Sequence, residues 1–552
     1  MSLIRGTHYD HGWRLKPGVE LMPEQQVTYQ LNRKSPRFSD FSEAGVGKSL
    51  PAMCTLLNWI HHKLYVVKGE TKFRKGKNYR NAIIFTPPTA RIGWMNQTWS
   101  LFENTCADLV LYYGTRNQRY EIRKKINKSD RPTILLASWG VMSLKMVEDA
   151  TWIAEKLNPN YIIADEAQYM SGYESSRSKF FTNSIEYPKI KKQYTFVSFI
   201  TATPVTNGPE KAWPYFNILY NSSKTGMNMA YKGGMTTFYE THFNSSFVRV
   251  SRFSGYKREI LKFKLETEEL FKKVLTGRGV LHTRSNVFKD RKEPVHDQVV
   301  FKMSKEQEAI YWFFMDNLML EIDGVHIKGT EVMQRMTRER QLASNPALCG
   351  LPGTEKRMES TLQVLNDYGF SPAKKNQHTF GLNENAKVLI LVEYVMSWNL
   401  LKKFLEKKGF KVAGIVGGMS MKQRADNIKW FDSDPECRIF IGSRSAMAEG
   451  VNLQSANVTI NYELGWSTDK FVQGEGRTDR RGQNRQLYYI DILAEDTIDF
   501  YIWEKLRQRK VLSDTLLSDL VTQTKQFGKK RNKLDLNIQK QIIEMIRNEI
   551  HN

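Results

Sequence analysis

Short apolar runs recur along both halves of the chain, and each ends in polar, proline or glycine residues. The runs cover residues 82–85, 133–137, 161–164 and 196–200 in the first half, and 387–392, 412–416, 438–441, 458–461 and 487–492 in the second. Helical patterns separate most of these runs. Strands that alternate with helices predict a parallel, doubly wound sheet with helices on both faces. The chain is therefore predicted to be an α/β protein with two such sheets.

The alternating pattern stops between about residues 213 and 375. This stretch is rich in aromatic and basic residues and contains helical patterns at 304–320 and 328–343. Because it carries no motif of its own chemistry, it is predicted to be a largely helical insertion or bridge. The predicted units are residues 1–212, 213–375, 376–520 and a basic helical tail, 521–552. The tail is predicted to pack on the second unit, with binding of a partner as the alternative.

Residues 42–49 read as a phosphate-binding loop that opens a helix. Gly45 and Gly47 allow several backbone N–H groups to converge on one anion. Lys48 can reach the terminal phosphates of a nucleotide, and the Ser49 hydroxyl can hold Mg²⁺. Ser42 replaces the first glycine of the usual signature, so a glycine-rich turn before a helix is the alternative interpretation. The predicted helix has an apolar stripe at Leu50, Met53, Leu56, Leu57 and Ile60.

Polar residues follow two of the predicted strands of the first sheet. Asp165 and Glu166 come directly after the run 161–164, and residues 201–204 follow the run 196–200. A carboxylate at the end of a parallel strand can hold Mg²⁺ beside a phosphate loop. Its neighbour can orient and deprotonate an attacking water molecule. This position favours catalysis over ordinary surface charge.

A third candidate lies between the last two apolar runs, at residues 473–483. The spacing of three places Arg477 and Arg480 on one face of a predicted helix. Arginine remains charged and binds oxygens in a bidentate manner, which suits the charge that develops on a transferring phosphoryl group. Taken alone, the segment would favour interpretation as a solvated basic helix turn.

The positive net charge of the chain indicates what kind of partner it binds. Lys and Arg number 82 against 58 Asp and Glu, which gives a net charge of +24. An excess of this size favours a polyanion, and nucleic acid is favoured over an anionic membrane because no apolar run has transmembrane length. The four widely spaced cysteines and the absence of an apolar signal-peptide core predict a reducing, cytoplasmic location, without a zinc cluster.

The order of these elements resembles the motor of superfamily-two helicases, and specifically its Swi/Snf-like branch of DNA translocases. The resemblance runs from about residue 21 to residue 517. Its motifs correspond to 21–25, 42–49, 85–87 with Trp94, 137–139, 165–168, 201–204 with Asn207, 442–453 and 473–483. Residues 281–284, 304–311 and 340–348 resemble less generic segments of this branch. Two residues depart from the usual pattern, namely Gln168 in place of histidine and Ala202 in place of glycine.

The resemblance implies two RecA-like lobes with ATP and Mg²⁺ bound in the cleft between them. It implies Lys48, Asp165, Glu166, Arg477 and Arg480 as catalytic residues, with Ser49 and Asp165 holding the metal. Implied contacts to ATP are Gln25 (or Gln26 in the alternative register), Ala44, Gly45, Val46, Gly47, Lys48, Ser49, Gly450 and Asn452. Residues implied to couple hydrolysis to DNA are Gln168, Thr201, Thr203 and Gln473, and those implied to contact DNA are Thr86, Pro87, Ser138 and Ser443.

The function implied is that of a DNA-stimulated ATPase that translocates on double-stranded or branched DNA. Its contacts would be made through the DNA backbone, and its effect would be branch migration, annealing or remodelling of protein–DNA complexes. The lack of recognisable reader modules resembles compact phage or bacterial members of the family. A strand-separating DNA or RNA helicase is one alternative. A nucleic-acid-binding scaffold that uses ATP only as a switch is another, against which the presence of Lys48, Glu166 and the two arginines argues.

Overall fold

The structure is a computed structural model, and it describes most of the chain. The described residues are 3–4, 13–62, 64–67, 70–73, 81–88, 90–129, 131–170, 177–182, 195–205, 209–220, 235–249, 257–288, 292–317, 319–322, 325–328, 332–370, 386–447, 451, 453–479 and 483–507. The predicted C-terminal tail, 521–552, lies outside these residues, as do Arg480, Gly450, Asn452 and Asn207.

The strands of the described residues are numbered in chain order. They are β1 (Leu3–Ile4), β2 (Arg14–Leu15), β3 (Arg37–Asp40), β4 (Leu64–Val67), β5 (Glu70–Phe73), β6 (Ala82–Thr86), β7 (Phe102–Asn104), β8 (Asp108–Leu111), β9 (Thr133–Ser138), β10 (Tyr161–Asp165), β11 (Phe196–Ile200), β12 (Phe243–Arg249), β13 (Lys257–Phe263), β14 (Gly279–Val280), β15 (Val295–Phe301), β16 (Met319–Ile322), β17 (Val325–Lys328), β18 (Val388–Val392), β19 (Val412–Ile415), β20 (Ile439–Ser443), β21 (Val458–Asn461) and β22 (Tyr488–Ala494).

Helices connect and cover these strands. They span Pro23–Asn32, Ser49–His62, Ala90–Leu101, Arg116–Lys128, Val147–Trp152, Trp213–Tyr220, Met235–His242, Glu268–Thr276, Arg284–Val287, Lys305–Asn317, Val332–Ser344, Lys356–Asp367, Val395–Lys407, Met421–Ser433, Arg444–Met447 and Thr468–Glu475, with further helical residues at 177–182 and 498–507. None of the helices in the described ranges is both long enough and apolar enough to cross a bilayer.

The first large sheet has eight strands in the order β1-β8-β9-β6-β10-β11-β3-β14. Its pairings are parallel, except that β1 runs antiparallel to β8. Strand β10 lies between β6 and β11, with Ala164 opposite Phe85 and Asp165 opposite Ile200. The carboxyl ends of these strands therefore meet at one edge of the sheet, where ligands bind in folds of this type.

The second large sheet has six strands, all parallel, in the order β15-β22-β21-β18-β20-β19. Alternate residues of its central strand enter two different cores. Val388 and Ile390 pack in one, and Leu389 and Leu391 in the other. Both faces of the sheet are therefore covered. The prediction of an α/β protein with two doubly wound, RecA-like lobes is confirmed.

The region predicted as a helical bridge, 213–375, contributes to both lobes. Strand β14 extends the first sheet beside β3, and β15 extends the second sheet beside β22. The region also contains the hairpins β12–β13 and β16–β17 in addition to its helices. The chain thus enters the second sheet well before residue 376. Strand β14 has only two residues, and β15 is mostly exposed and lacks a continuous apolar run, so neither gave the strand signal used for the other elements.

Helix Ser49–His62 follows the predicted phosphate loop and fixes its position. The predicted apolar stripe is buried in one core, with Leu56 and Leu57 fully buried and Leu50 5% exposed. Strands β6 and β10 contribute Ile84 and Ile163 to the same core. The packing anchors the helix against the sheet and holds its first turn at the carboxyl edge of the strands.

Candidate active site

The loop 42–49 has the backbone conformation that an anion-binding loop requires. It connects β3 to helix Ser49–His62, and both Gly45 and Gly47 have positive φ, +86° and +87°. A Cβ atom on Gly47 would lie 2.6 Å from the side-chain nitrogen of Gln25. The positive φ therefore favours glycine at this position, and a larger residue would also displace the side chain of Gln25.

Lys48 is held within the loop by backbone carbonyl groups. Its Nζ donates to the carbonyl oxygens of Ser42 (2.6 Å) and Glu43 (2.7 Å). Burial lowers the pKa of Lys48, while the charges of Asp40, Glu166 and Asp165 raise it. The carbonyl bonds orient the ammonium group but do not neutralise its charge, so Lys48 can bind phosphate oxygens.

The structure distinguishes between the two glutamines considered for the adenine side. Gln25 is 5% exposed, and its Nε2 donates to the carbonyl oxygen of Gly47 at 2.9 Å. Its Oε1 accepts from the backbone N–H of Met22 at 3.0 Å, whereas Gln26 is exposed. Gln25 is therefore the glutamine that touches the loop.

Asp165 ends β10 and is surrounded by neutral hydrogen-bond donors. Its Oδ2 accepts from the hydroxyl of Thr86 (2.7 Å) and the indole N–H of Trp94 (2.8 Å). The indole of Trp139 donates to its backbone oxygen at 2.8 Å. Burial, together with the negative charge of Glu166, raises the pKa of Asp165 to about 6. A cation bound beside this carboxylate would stabilise its ionised form.

Glu166 occupies a strained position next to Asp165. Its φ is +49°, an uncommon value for a residue with a side chain. Its carboxylate accepts from Nε2 of Gln168 at 2.7 Å. The strained backbone and this hydrogen bond fix the direction of the side chain, as expected for a group that must orient a water molecule.

Three of the residues predicted to couple hydrolysis to DNA are connected by hydrogen bonds. The hydroxyl of Thr201 donates to Oε1 of Gln168 at 2.6 Å and accepts from the backbone N–H of Thr203 at 3.0 Å. Gln168 in turn contacts Glu166, so a continuous path leads from the carboxylate to the end of β11. Gln473 lies apart from this path, on helix Thr468–Glu475 of the second lobe.

Arg477 of the second lobe interacts electrostatically with Glu166 of the first. Helix Thr468–Glu475 ends at Glu475, so Arg477 lies in the following turn and not on the predicted helix face. Arg477 is 6% exposed, and burial lowers its pKa while the charge of Glu166 raises it. Among the described residues, its buried Nε has no hydrogen-bond acceptor. The two lobes therefore share one electrostatic site, with a donor left over for a ligand.

The four residues predicted to contact DNA differ in exposure. Thr86 and Ser443 are fully buried, and the hydroxyl of Thr86 is used by Asp165. Pro87 is also buried, whereas Ser138 is half-buried at the end of β9. The sequence places all four at strand ends, but it does not give the direction of each side chain. Of the four, Ser138 has the position best suited to contact a ligand outside the protein.

The sequence analysis placed Trp94 and Trp139 in motifs and Arg284 in the segment 281–284, but it predicted no contact of these residues with the site, which all three touch. The two tryptophans contact Asp165, and the guanidinium of Arg284 donates to the carbonyl oxygen of Ala44 at 2.9 Å. For Arg284, the available signal was its place after a short apolar run, within the segment 281–284 that resembles the Swi/Snf-like branch. A contact partner 240 residues away cannot be recognised from one sequence.

Comparison with known proteins finds similarity to ATP-dependent helicases and to Swi/Snf-related proteins. The family model "Helicase conserved C-terminal domain" matches residues 374–482. An uncharacterized ATP-dependent helicase of Mycoplasma genitalium is 21% identical over 485 residues, covering 87% of this chain and 40% of the relative. Nuclear protein STH1/NPS1 of Saccharomyces cerevisiae is 22% identical, covering 92% of this chain and 34% of the relative.

Two further similarities extend this set. The "SWI/SNF-related matrix-associated actin-dependent regulator of chromatin subfamily A containing DEAD/H box 1" of Xenopus tropicalis is 21% identical, covering 83% of this chain and 46% of the relative. The solved "SWI2/SNF2 ATPase core in complex with dsDNA" of Sulfolobus solfataricus is 18% identical, covering 92% of this chain and 93% of that one, with a TM-score of 0.37. The chain spans less than half the length of the three curated relatives.

The family model and the relatives that align with most of this chain show that it is similar to Swi/Snf-like, helicase-related ATPases of superfamily two.

Proposed function

We propose that the chain is an ATP-hydrolysing motor that translocates on DNA and remodels DNA structures or protein–DNA complexes. The observation that carries the proposal is the shared site, in which Arg477 of the second lobe lies within the electrostatic reach of Glu166 of the first. A site assembled from two lobes can couple hydrolysis to their relative movement. A protein that only bound ATP would not require this arrangement of base and arginine.

The residues present fit Mg²⁺ and ATP. Lys48 and the loop glycines offer donors to phosphate oxygens, and the Nε of Arg477 has no acceptor among the described residues. Ser49 and Asp165 would hold Mg²⁺, which would neutralise charge on the phosphates. Glu166 would take the proton of the attacking water molecule, and Arg477 would stabilise the developing negative charge.

The predicted partner is double-stranded or branched DNA bound through its backbone. The net charge of +24 supports a polyanion, and one solved relative is described as a complex with double-stranded DNA. Backbone contacts carry little sequence information and weaken as salt rises. We therefore expect steep salt dependence and little difference between DNA sequences. Movement along a branched substrate would produce branch migration or annealing.

The direct test is ATP hydrolysis by the full chain with no nucleic acid, single-stranded DNA, duplex DNA, a four-way junction and RNA, measured side by side. Duplex or branched DNA should stimulate hydrolysis most, and Lys48→Ala should reduce all rates to background. A rate that no nucleic acid changes would contradict a DNA-stimulated motor.

The strand-separating alternative requires a separate assay. A translocase should displace the third strand of a triplex while leaving a long forked duplex intact. Efficient separation of the forked duplex, with single-stranded DNA as the better activator, would instead identify a conventional helicase.

A further inference from the structure

Arg284 belongs to the first lobe and contacts the phosphate loop, residues 42–49, directly. It follows β14, which pairs with β3 in the first sheet. Its backbone N–H donates to the carboxylate of Glu43 at 2.7 Å, and its Nε donates to the carbonyl oxygen of Ala44 at 2.9 Å. Both the backbone and the side chain of Arg284 are therefore fixed by residues of the loop.

The same guanidinium also reaches the second lobe. Its Nη1 donates to a carboxylate oxygen of Asp479, two residues beyond Arg477. The side chains of Asp479 and Arg284 are 5% and 23% exposed, so water screens the pair poorly. Beside the pair, a Cβ atom on Gly476 would lie 3.2 Å from the Cβ of Ala44. The turn 476–479 is thus pressed against the phosphate loop.

We propose that Arg284 and Asp479 form an interlobe latch that holds Arg477 in the catalytic cleft. The proposal rests on the proposed function, since it describes how that site is assembled. Arg477 lies between Gly476, which packs on Ala44, and Asp479, which binds Arg284. Because Gly476 and Asp479 are both held in place, the position of Arg477 between them is also fixed. Arg284 acts through Arg477 and is therefore a positioning residue.

The chemistry of arginine explains why this residue type suits the latch. The guanidinium presents Nε to Ala44 and Nη1 to Asp479 at the same time, in a rigid planar fork. A lysine ammonium is a single point of charge on a flexible stem and cannot keep both bonds in this geometry. Arg284→Lys should therefore retain the attraction to Asp479 and lose part of the positioning.

The first experiment is a double-mutant cycle on ATP turnover at saturating DNA. Arg284→Ala and Asp479→Ala should each lower kcat about 10- to 100-fold, with a change in KM for ATP of less than about threefold. The double variant should be no slower than the slower single variant, because residues of one pair are not additive. Arg284→Lys should lie between Arg284→Ala and wild type. Glu495→Gln, which neutralises one partner of an exposed ion pair, is the matched control and should leave kcat unchanged.

The second experiment measures lobe closure without hydrolysis, so that it separates the latch from the proposed function. All four native cysteines are buried, so dyes can be attached at Ser100→Cys in the first lobe and Asn399→Cys in the second. Energy transfer between the dyes is measured without nucleotide and with a non-hydrolysable ATP analogue. Arg284→Ala and Asp479→Ala should each shift the lobes toward the open form under at least one of these conditions.

Wild-type closure in both variants, or losses in kcat that simply multiply in the double variant, would overturn the latch. If the wild-type protein hydrolysed ATP with none of the nucleic acids tested, the result would contradict the proposed function but not the latch. The energy-transfer measurement would still decide whether Arg284 and Asp479 hold the lobes together.

Discussion

Each lobe contains a buried strand that runs through a turn into a helix, but the second lobe fills its turn with a carboxylate of its own. In the first lobe, β3 leads through the loop 42–49 into helix Ser49–His62. In the second lobe, β18 leads through Glu393 and Tyr394 into helix Val395–Lys407. Backbone N–H groups at such a turn favour an anion. The difference lies in what occupies that position.

In the second lobe, the anion at this turn is the carboxylate of Glu463, a residue of the same lobe. Oε2 of Glu463 accepts from the backbone N–H groups of Glu393 (2.8 Å) and Tyr394 (3.2 Å). Its Oε1 accepts from the hydroxyl groups of Ser397 (2.6 Å) and Ser344. Glu463 is 4% exposed, so this carboxylate is an internal part of the lobe. In the first lobe, by contrast, the Nζ of Lys48 donates to two backbone carbonyls, and no carboxylate among the described residues accepts a hydrogen bond from it.

The comparison shows that a shared sheet architecture does not by itself create a nucleotide site. The first lobe offers glycines and a lysine, whereas the second fills its turn with a carboxylate and contributes an arginine across the cleft. Under the proposed function, the turn residues of the first lobe would bind the nucleotide, and the second lobe would contribute Arg477. The following changes test this division of roles, beginning with the largest expected effect.

Arg477→Ala should remove the contribution of the second lobe to the chemistry. Loss of an arginine supplied in cis to a transferring phosphoryl group is expected to lower kcat by about a thousandfold. Affinity for ATP should change much less, because the phosphate loop is intact. Steady-state hydrolysis with duplex DNA measures both. Lys470→Ala, an exposed change on the helix that precedes Arg477, is the control. Equal losses in the two variants would argue against a specific role of Arg477.

Glu166→Gln should separate ATP binding from ATP turnover in the first lobe. Removing the general base is expected to lower kcat by about a hundredfold or more. Glutamine keeps the size of the side chain, so a fluorescent ATP analogue should bind with near wild-type affinity. Lys48→Ala should give the opposite pattern, in which binding of the analogue is itself weakened. Wild-type turnover by Glu166→Gln would show that another group takes the proton.

Glu463→Ala should destabilise the second lobe without any direct effect on nucleotide binding. Two backbone N–H groups and two hydroxyl groups would lose their acceptor in a buried place, at an expected cost of about 2 kcal/mol in unfolding free energy. Glu463→Gln retains an acceptor and should cost less. Hydrogen exchange resolves the effect by segment, and weakened protection should be confined to residues 386–507. Protection that falls equally in both lobes would contradict independent stabilisation.

The sequence was sufficient for features set by local chemistry. The loop glycines, Lys48 and the pair Asp165–Glu166 are defined by short patterns next to strands, so they could be predicted together with the two sheets. Glu463 and Asp479 could not be given their roles, because their partners Glu393 and Arg284 lie 70 and 195 residues away. Thr86 was placed correctly at a strand end. The direction of its hydroxyl, however, depends on Asp165 of a neighbouring strand.

The smallest expected effect concerns His242. This residue should make the region attached to the first lobe more sensitive to acid than the second lobe. The imidazole packs on Phe263 and Phe271, its Nδ1 lies 2.7 Å from the hydroxyl of Thr267, and it is fully buried. Burial, aided by the charge of Lys264, lowers the pKa of His242 to about 4. The histidine is thus neutral in the folded protein at pH values where the unfolded chain binds a proton.

The sign of the effect follows from that difference in proton binding. Between the unfolded pKa of about 6.5 and the folded value, the unfolded state holds more protons, so stability rises with pH. The stabilising contribution is complete above about pH 6.5 and is lost as the pH falls toward 4. We expect a loss of about 1 kcal/mol, since local opening can relieve part of the cost of protonation. Hydrogen exchange at pH 7 and pH 5 should show weaker protection at low pH in helix Met235–His242 than in helix Val395–Lys407. His242→Gln should abolish this difference, and a difference that persists in the variant would assign the acid sensitivity to another group.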